Sequence, residues 1–308
     1  MPATVSSDRV SDVTDQQPLF GHDRPEMWPY HTRYWGQVVS GLFGGTFRTL
    51  RIELPDPVLL PVIVGGSLAE GGFCSGHIGY GGAVPEAAGT TLDASDHVRA
   101  VVAAQEFLDL PCRRLVTPPL GEAALPQGPD QGERRRTYLV DLAGSEQEQL
   151  SSYARSLPGS VRKALRSGVE VRLVTTADAG QALALVHLTQ AEVGATYRMP
   201  RGLLDALVDG GPDFGTVLGC WYEGRLISVG VFLRTGGNVG YLATGWDRTH
   251  AKLRANYLMV HHALRYFADR GDRVVDLGYS HQPGIVEFKR QWGSRPADSL
   301  DLSAAVQA

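Results

Sequence analysis

The chain has 308 residues, of which 43% are hydrophobic and 20% charged, and its formal net charge is −4. This composition is typical of a globular protein with a real core, formed by one large domain or two of ordinary size. Three cysteines (Cys74, Cys112 and Cys220) argue against a disulfide framework and a thiolate zinc site, because their number is odd and none forms a CxxC pair. The polar N-terminus lacks the apolar segment of a signal peptide, and no apolar run approaches the roughly 20 residues of a membrane span. We therefore expect a cytoplasmic protein without membrane insertion.

The first half predicts a disordered arm followed by an α+β unit. Residues 1–25 are polar and rich in Pro and Asp, which is typical of a disordered segment. Apolar spacing then predicts helices over 31–43 and 97–108 and strands over 58–64, 72–78, 112–117 and 137–142. Pro61 predicts that the first of these strands lies at a sheet edge, because proline cannot donate a ladder hydrogen bond. The Gly79–Gly82 segment predicts a loop where the backbone can bend freely or approach a ligand.

The second half repeats this layout. A helical link over 145–167 ends in a short basic helix with Gly168 as its C-cap, followed by a strand over 169–175. Helices are predicted over 178–193, 201–208 and 252–269, and strands over 215–222, 226–234 and 238–244. Glu223-Gly224 and Gly236-Gly237 predict hairpin turns between these strands. We therefore predict two related α+β domains, residues 26–144 and residues 145–308.

The last predicted strand and helix bring two ionisable residues together. An apolar run of strand length from Val274 breaks at Gly278, and a helix follows that ends at Gly293. Asp276 and Lys289 flank this strand-to-helix passage, where backbone can face a ligand. Lysine is scarce, since only three of the 29 basic residues are lysines. The alternative is a solvated helix charge beside an Asp in a turn.

Several segments together resemble the FemABX-like branch of the GNAT acyltransferases. They are RKALRSGVEV, WYEGRLISVGVFL, YLATGW, the helix ending in YFADRG, and the terminal VVDLGYS…GIVEFKRQWGSRP. The resemblance covers roughly residues 30–300 and is most specific over residues 158–296. It implies two tandem GNAT-like domains, each with a mixed, mostly antiparallel sheet flanked by helices. Residues 178–208 leave no room for the helical arm that some members carry.

The resemblance also implies transfer of an amino acid from aminoacyl-tRNA to the amino group of a peptide. The expected acceptor is a peptide natural product, such as an antibiotic intermediate that a carrier protein can hold, or a peptidoglycan precursor. Direct attack of the amine on the ester needs orientation, proton removal and charge stabilisation, but no covalent enzyme intermediate. We accordingly expect a monomer without cofactor or metal, for which aminoacyl-tRNA is the co-substrate.

The resemblance assigns roles at the terminal motif. Lys289 of the FK pair is expected to place its ammonium near the developing charge, and Phe288 to shape the channel, where it could stack on the terminal adenine. Asp276 and Tyr279 are candidates to hold the attacking amine. His281 is a possible proton carrier, although a lone loop histidine is usually only solvated.

Two further sets are candidates for substrate binding. The basic residues of the second half could neutralise tRNA phosphates, and they are Arg162, Lys163, Arg166, Arg248, Lys252 and Arg254. Residues 151–308 contain 18 Lys and Arg against 14 Asp and Glu, which agrees with an anionic partner, although a solvated helix face explains the basic residues equally well. The acceptor candidates are Trp28, Tyr34, Tyr80, Gly81, Gly82 and Tyr241, which core packing and a plain turn would also explain.

Two other functions stay open. The first is a CoA-dependent N-acyltransferase on the same fold. Members of that class bind pyrophosphate with a glycine-containing loop at a helix N-terminus. The corresponding segment here, residues 248–255, contains no glycine, which disfavours CoA. The second is a binding module without catalytic activity.

Overall fold

The computed structural model describes residues 10–16, 24–76, 78–125, 132–195, 197–211 and 213–306. The chain divides into two compact units. Unit 1 combines residues 1–137 with residues 296–308, and unit 2 is Tyr138–Arg295. All three cysteines are buried thiols that form no disulfide. No helix among the described residues is long and apolar enough to cross a membrane.

Helices and strands are interspersed along the chain, with runs of consecutive strands in both units. The first nine are β1 (Val10–Asp12), α1 (Arg33–Phe43), β2 (Thr46–Ile52), β3 (Val58–Gly65), β4 (Ala69–Ser75), β5 (Val84–Pro85), α2 (Ala94–Leu108), β6 (Cys112–Leu115) and β7 (Glu133–Asp141). The remaining twelve are α3 (Glu146–Ser152), α4 (Leu157–Arg166), β8 (Glu170–Leu173), α5 (Ala179–Glu192), α6 (Arg201–Asp209), β9 (Gly215–Tyr222), β10 (Arg225–Thr235), β11 (Asn238–Trp246), α7 (Ala255–Ala268), β12 (Val274–Asp276), α8 (Pro283–Arg290) and β13 (Arg295–Asp301). Short 3₁₀ turns lie at Pro29–His31, Glu122–Ala124 and Arg248–Leu253.

The sheet of unit 1 has the strand order β1-β2-β3-β4-β6, with β5 beside β3. Strand β1 runs antiparallel to β2 and places Val10 opposite Ile52. The predicted disorder over residues 1–25 is therefore wrong for this segment, because backbone pairing and the burial of Val10 fix it to the sheet. The rest of the predicted arm, residues 1–9 and 17–23, lies outside the described residues.

Strand β3 is not the edge strand that Pro61 predicted. It pairs with β2 from Val58 to Val64, and Pro61 lies opposite Thr49. On its other side β4 pairs with residues 63–65 and β5 with residues 58–59. The missing N–H of Pro61 falls in the gap between these two partners. There its carbonyl accepts a hydrogen bond from the Ser75 hydroxyl at 2.7 Å, so an interior strand tolerates the proline.

The end of the chain belongs to unit 1. In β13 the Leu300 carbonyl accepts the Thr117 amide at 2.9 Å, and the Asp298 carbonyl accepts the Leu120 amide at 2.9 Å. The units thus divide at residues 137/138 and 295/296, whereas the sequence placed one boundary at residues 144/145. Strand pairing explains this difference, since a single linear boundary cannot describe a unit that the chain leaves and later rejoins.

Among its own strands, unit 2 has the sheet order β7-β12-β11-β10-β9-β8. Strands β11 and β12 are parallel, and the other neighbours are antiparallel. The first predicted hairpin turn is present between β9 and β10, where Glu223 and Gly224 have φ angles of 49° and 76°. Residues 178–209 are occupied by α5, α6 and their connection, in agreement with a member without the helical arm. The predicted α+β class, two sheets flanked by helices, is confirmed.

Candidate functional site

The passage from β12 to α8 is held by an internal cluster of polar contacts in unit 2. Asp276 ends β12, and its carboxylate accepts the Gly278 amide at 2.8 Å. Gly278 has a φ of +80°, which suits glycine and turns the chain sharply. Lys289, in the last turn of α8, donates from Nζ to the Gly278 carbonyl at 2.6 Å and to the Tyr279 carbonyl at 3.2 Å. The turn is thus tied at both ends to charged side chains.

The Lys289 ammonium is buried, in contrast to the solvated charge that was the alternative expectation. Lys289 is 7% exposed and Asp276 is 2% exposed. Burial lowers the pKa of Lys289 from its ordinary 10.5 to about 8, against the opposing effect of the Asp276 carboxylate. An ammonium has three N–H donors, and two of them bind the turn carbonyls. Among the described residues no group accepts from the third.

The side chains of the other predicted site residues do not all lie beside the Lys289 ammonium. The carbonyl of Tyr279 contacts Lys289, whereas the residue as a whole is 45% exposed and its ring lies 5.9 Å from that of His281. Tyr241, which was predicted to bind the acceptor, stacks on Phe232 with ring centroids 4.5 Å apart, and burial raises the pKa of its hydroxyl. The burial of Asp276 leaves little access for an attacking amine.

Phe288 lines a cavity of about 180 Å³ in unit 2. Its ring makes edge contacts with Tyr257 at 5.2 Å and with Trp292 at 5.8 Å. The other lining residues are Ile227, Trp246, Asp247, His250, Ala251, Arg254, Ala255, Asn256 and Tyr257. The mainly apolar wall suits a planar or apolar group, and its polar residues cluster between β11 and α7.

The segment between β11 and α7 already uses its backbone amides. The Thr249 amide donates to the Asp247 carboxylate at 2.9 Å, the His250 amide to the Asp247 carbonyl at 3.1 Å, and the Arg254 amide to the Ala251 carbonyl at 3.2 Å. The Thr249 hydroxyl and amide hold the pKa of Asp247 below its ordinary value. These donors are therefore not available to a bound pyrophosphate.

The predicted tRNA-binding residues fall into two groups within unit 2. Arg162, Lys163 and Arg166 are exposed on α4, which packs against α7, and they form no ion pair with any described residue. The second group surrounds the start of α7. There Arg248 pairs with Glu192 at 2.7 Å, Lys252 is exposed, and the Arg254 guanidinium lies 5.6 Å from the centroid of the Tyr257 ring.

The predicted acceptor residues of the first half lie in unit 1. Trp28 and Tyr80 are buried in an edge-to-face contact at 5.7 Å, whereas Tyr34 is 38% exposed. The cavity beside Tyr80 and Gly81 has a volume of about 30 Å³, which is enough for a water molecule and too little for a peptide side chain. In this structure these residues pack, and their role toward an acceptor stays a prediction.

Two buried histidines, which the sequence did not single out, hold the Gly79–Gly82 loop. The Trp28 amide donates to His31 Nδ1 at 3.1 Å, so His31 Nε2 carries the proton and donates to the Gly81 carbonyl at 3.0 Å. His97 Nδ1 accepts the Ala83 amide at 2.9 Å. Desolvation lowers the pKa of His31 to about 4 and that of His97 to about 3, so both rings are neutral.

These neutral histidines predict acid sensitivity. Both folded-state pKa values lie below the ordinary 6.5, so the unfolded chain binds more protons once the pH falls below 6.5. The free energy of unfolding should then fall by about 1.4 kcal/mol per pH unit for each histidine between pH 6.5 and pH 4. Urea unfolding at pH 7, 6 and 5 measures this slope. His97→Gln keeps an acceptor for the Ala83 amide but does not titrate, so it should remove one histidine's share. If the unfolding free energy of His97→Gln depends on pH as strongly as that of the wild type, His97 is not a buried neutral histidine.

Comparison with known proteins agrees with this architecture. The family model described as an acetyltransferase (GNAT) domain matches residues 151–290. The structure of FemX has a TM-score of 0.68 and 13% identity and covers 91% of this chain and 93% of its own. A conserved protein of unknown function from Bacteroides thetaiotaomicron has a TM-score of 0.57 and 10% identity and covers 91% and 92%. No curated protein matches the sequence significantly.

Residues 151–290 are thus similar to a GNAT domain, and the fold of the chain is similar to that of FemX. The predicted resemblance to the FemABX-like branch of the GNAT superfamily is confirmed at the level of the fold. The domain match and the fold together support a transferase of the acyltransferase class.

Proposed function

We propose that the protein transfers an amino acid from aminoacyl-tRNA to the amino group of a peptide. The proposal rests on the buried Lys289 ammonium. Two of its N–H groups donate to carbonyls of the β12–α8 turn, and the third has no acceptor among the described residues. A fixed, desolvated donor of this kind stabilises negative charge that develops on an oxygen during acyl transfer. The resemblance of the FK pair to the FemABX-like enzymes supports the same role.

The proposed reaction is direct attack of the amine on the ester carbonyl. The nitrogen forms a bond to the carbonyl carbon, and the bond from that carbon to the ribose oxygen breaks. The third N–H of Lys289 donates to the oxygen on which charge develops. The Asp276 carboxylate favours the charged form of Lys289, which keeps this donor protonated near neutral pH. In this proposal Asp276 acts through Lys289 and does not hold the amine.

The segment before α7 supports tRNA over CoA as the donor. Its amides at Thr249, His250 and Arg254 are already bonded within the turn. A pyrophosphate would have to displace them, whereas the exposed cations of α4 and Arg254 can pair with phosphates of a larger anion. The apolar wall at Phe288 offers a stacking surface for a terminal base.

The proposed acceptor is the amine of a peptide natural product or of a peptidoglycan precursor. The connection between α5 and α6 has no room for a helical arm, as in the arm-less members. We therefore favour a peptide natural product as the acceptor. A CoA-dependent N-acyltransferase is the second candidate, because the matching family model describes an acetyltransferase domain.

Donor specificity tests the proposal. The protein is incubated with candidate peptide amines and either tRNAs charged with labelled amino acids or labelled acyl-CoAs, and products are separated by mass. We expect a peptide extended by one residue with at least one charged tRNA and no acylated product with CoA. Product from acyl-CoA alone would overturn the donor assignment in favour of the second candidate.

A further inference from the structure

His250 and Asp247 form a hydrogen-bonded pair in the wall of the 180 Å³ cavity. His250 Nδ1 lies 3.0 Å from Asp247 Oδ2 and 3.1 Å from the Thr249 hydroxyl. The other carboxylate oxygen, Oδ1, accepts the Thr249 amide at 2.9 Å and the Thr249 hydroxyl at 2.6 Å. Capping of the 3₁₀ turn thus occupies one oxygen, and the second is left for the imidazole.

These contacts determine which ring nitrogen carries the proton. A carboxylate only accepts, and the Thr249 hydroxyl already donates its proton to Asp247, so Nδ1 of His250 is the donor. In the neutral ring Nε2 then has a lone pair, and no described residue bonds it. The side chain is 23% exposed, so a proton taken up at Nε2 can pass to solvent. This is the arrangement of an imidazole base oriented by a carboxylate.

Three charged or titratable groups of the described residues lie beside His250. Asp247 belongs to the same turn, Arg254 lines the same cavity at the start of α7, and Tyr222 of β9 has its ring centroid 6.1 Å from the imidazole. Phe288, next to Lys289 in the chain, lines the cavity as well. The wall of the cavity therefore contains both the imidazole and a residue of α8, the helix that carries Lys289.

We propose that His250 is the base that deprotonates the acceptor amine and that Asp247 positions it. This inference rests on the proposed function. The amine arrives as an ammonium, and Nε2 of His250 takes one of its protons and releases it to solvent. The free amine attacks the ester carbonyl, and a second proton passes from the nitrogen to the departing ribose oxygen. The products are an amide, a ribose hydroxyl and one released proton.

The test compares pH profiles of transfer from charged tRNA for the wild type, His250→Gln, Asp247→Asn and His281→Gln. We expect His250→Gln to lower kcat by about 100-fold and to remove the acid limb of the profile, because the base that must lose its proton there is gone. Asp247→Asn should lower kcat and displace the limb, and His281→Gln should leave it in place. Exogenous imidazole should restore part of the rate to His250→Ala, which a purely structural role of the ring would not allow.

Three results would overturn the inference. They are a wild-type profile in His250→Gln, loss of the acid limb in His281→Gln instead, and failure of imidazole to rescue a folded His250→Ala protein. A wild type that transfers nothing from any charged tRNA is a different result, since it rejects the proposed function itself and this inference with it. Thermal melting of each variant separates these outcomes from unfolding.

Discussion

Replacing Lys289 with Met is expected to lower the rate of aminoacyl transfer by about 100- to 1,000-fold, the usual effect of removing one preorganised donor to an oxyanion. Met keeps much of the side-chain volume, but it leaves the Gly278 and Tyr279 carbonyls without their charged donor. A hydrogen bond to a charged group stabilises a fold by about 1.5–3 kcal/mol, so the variant should also unfold at a lower denaturant concentration. Single-turnover transfer, measured where urea unfolding shows the variant still folded, gives the effect on chemistry alone.

Arg290→Met is the matched control, because Arg290 is the next residue on α8, is exposed, and pairs with no described residue. It should retain the wild-type rate. A folded Lys289→Met protein with full turnover would reject the role of this ammonium in catalysis. Complete loss of turnover with an intact fold would reject the reading of the protein as a binding module without activity.

Replacing Gly81 with Ala is expected to destabilise unit 1 by more than about 3 kcal/mol, an effect of the size that overpacking and loss of backbone contacts produce together. A Cβ on Gly81 would lie 2.2 Å from the Gly76 nitrogen and 2.2 Å from the Ser75 carbonyl carbon, and backbone atoms cannot move aside cheaply. The shift would also disturb the bond from the Gly81 amide to the Val116 carbonyl at 2.7 Å. Chemical unfolding of purified protein measures the change.

Gly41→Ala provides the comparison, since its Cβ would meet no atom within 4 Å on α1. Alanine there should be neutral or stabilise the helix by up to about 1 kcal/mol. Equal stability of the Gly81 and Gly41 variants would mean that the Gly79–Gly82 loop is open in solution, as a ligand-facing loop would be. The structure instead predicts close backbone packing.

The sequence predicted the elements whose pattern is local. Periodic apolar residues predicted α2, α5 and α7, and the glycine turns predicted the β9–β10–β11 meander, because helix period and turn chemistry are properties of adjacent residues. The two-unit layout followed from repetition of these elements. Strands β1, β2, β5 and β13 were missed. The sequences of β1 and β13, VSD and RPADSLD, carry little apolar pattern, and only pairing with distant strands makes them strands.

The site was predicted less completely, for the same reason. Asp276 and Lys289 were singled out together, and the fold brings the lysine to the turn that the aspartate begins. Nothing in the sequence indicated that His31 and His97 would reach one loop, since 66 positions separate them along the chain. The Asp247–His250 pair could have been predicted, because an Asp at the start of a helical turn and a His three residues later lie on the same face. What marks this pair as a candidate site is the cavity beside it, which only the three-dimensional structure reveals.

Purified aminoacyl-tRNA and a peptide amine, mixed with the wild-type protein in a single turnover, test the central claim most directly. The amide product is followed by mass spectrometry. The account predicts a product one residue longer that disappears when the tRNA is deacylated or digested with ribonuclease before mixing. A product that survives ribonuclease treatment, or that forms only when acyl-CoA replaces the tRNA, would contradict it.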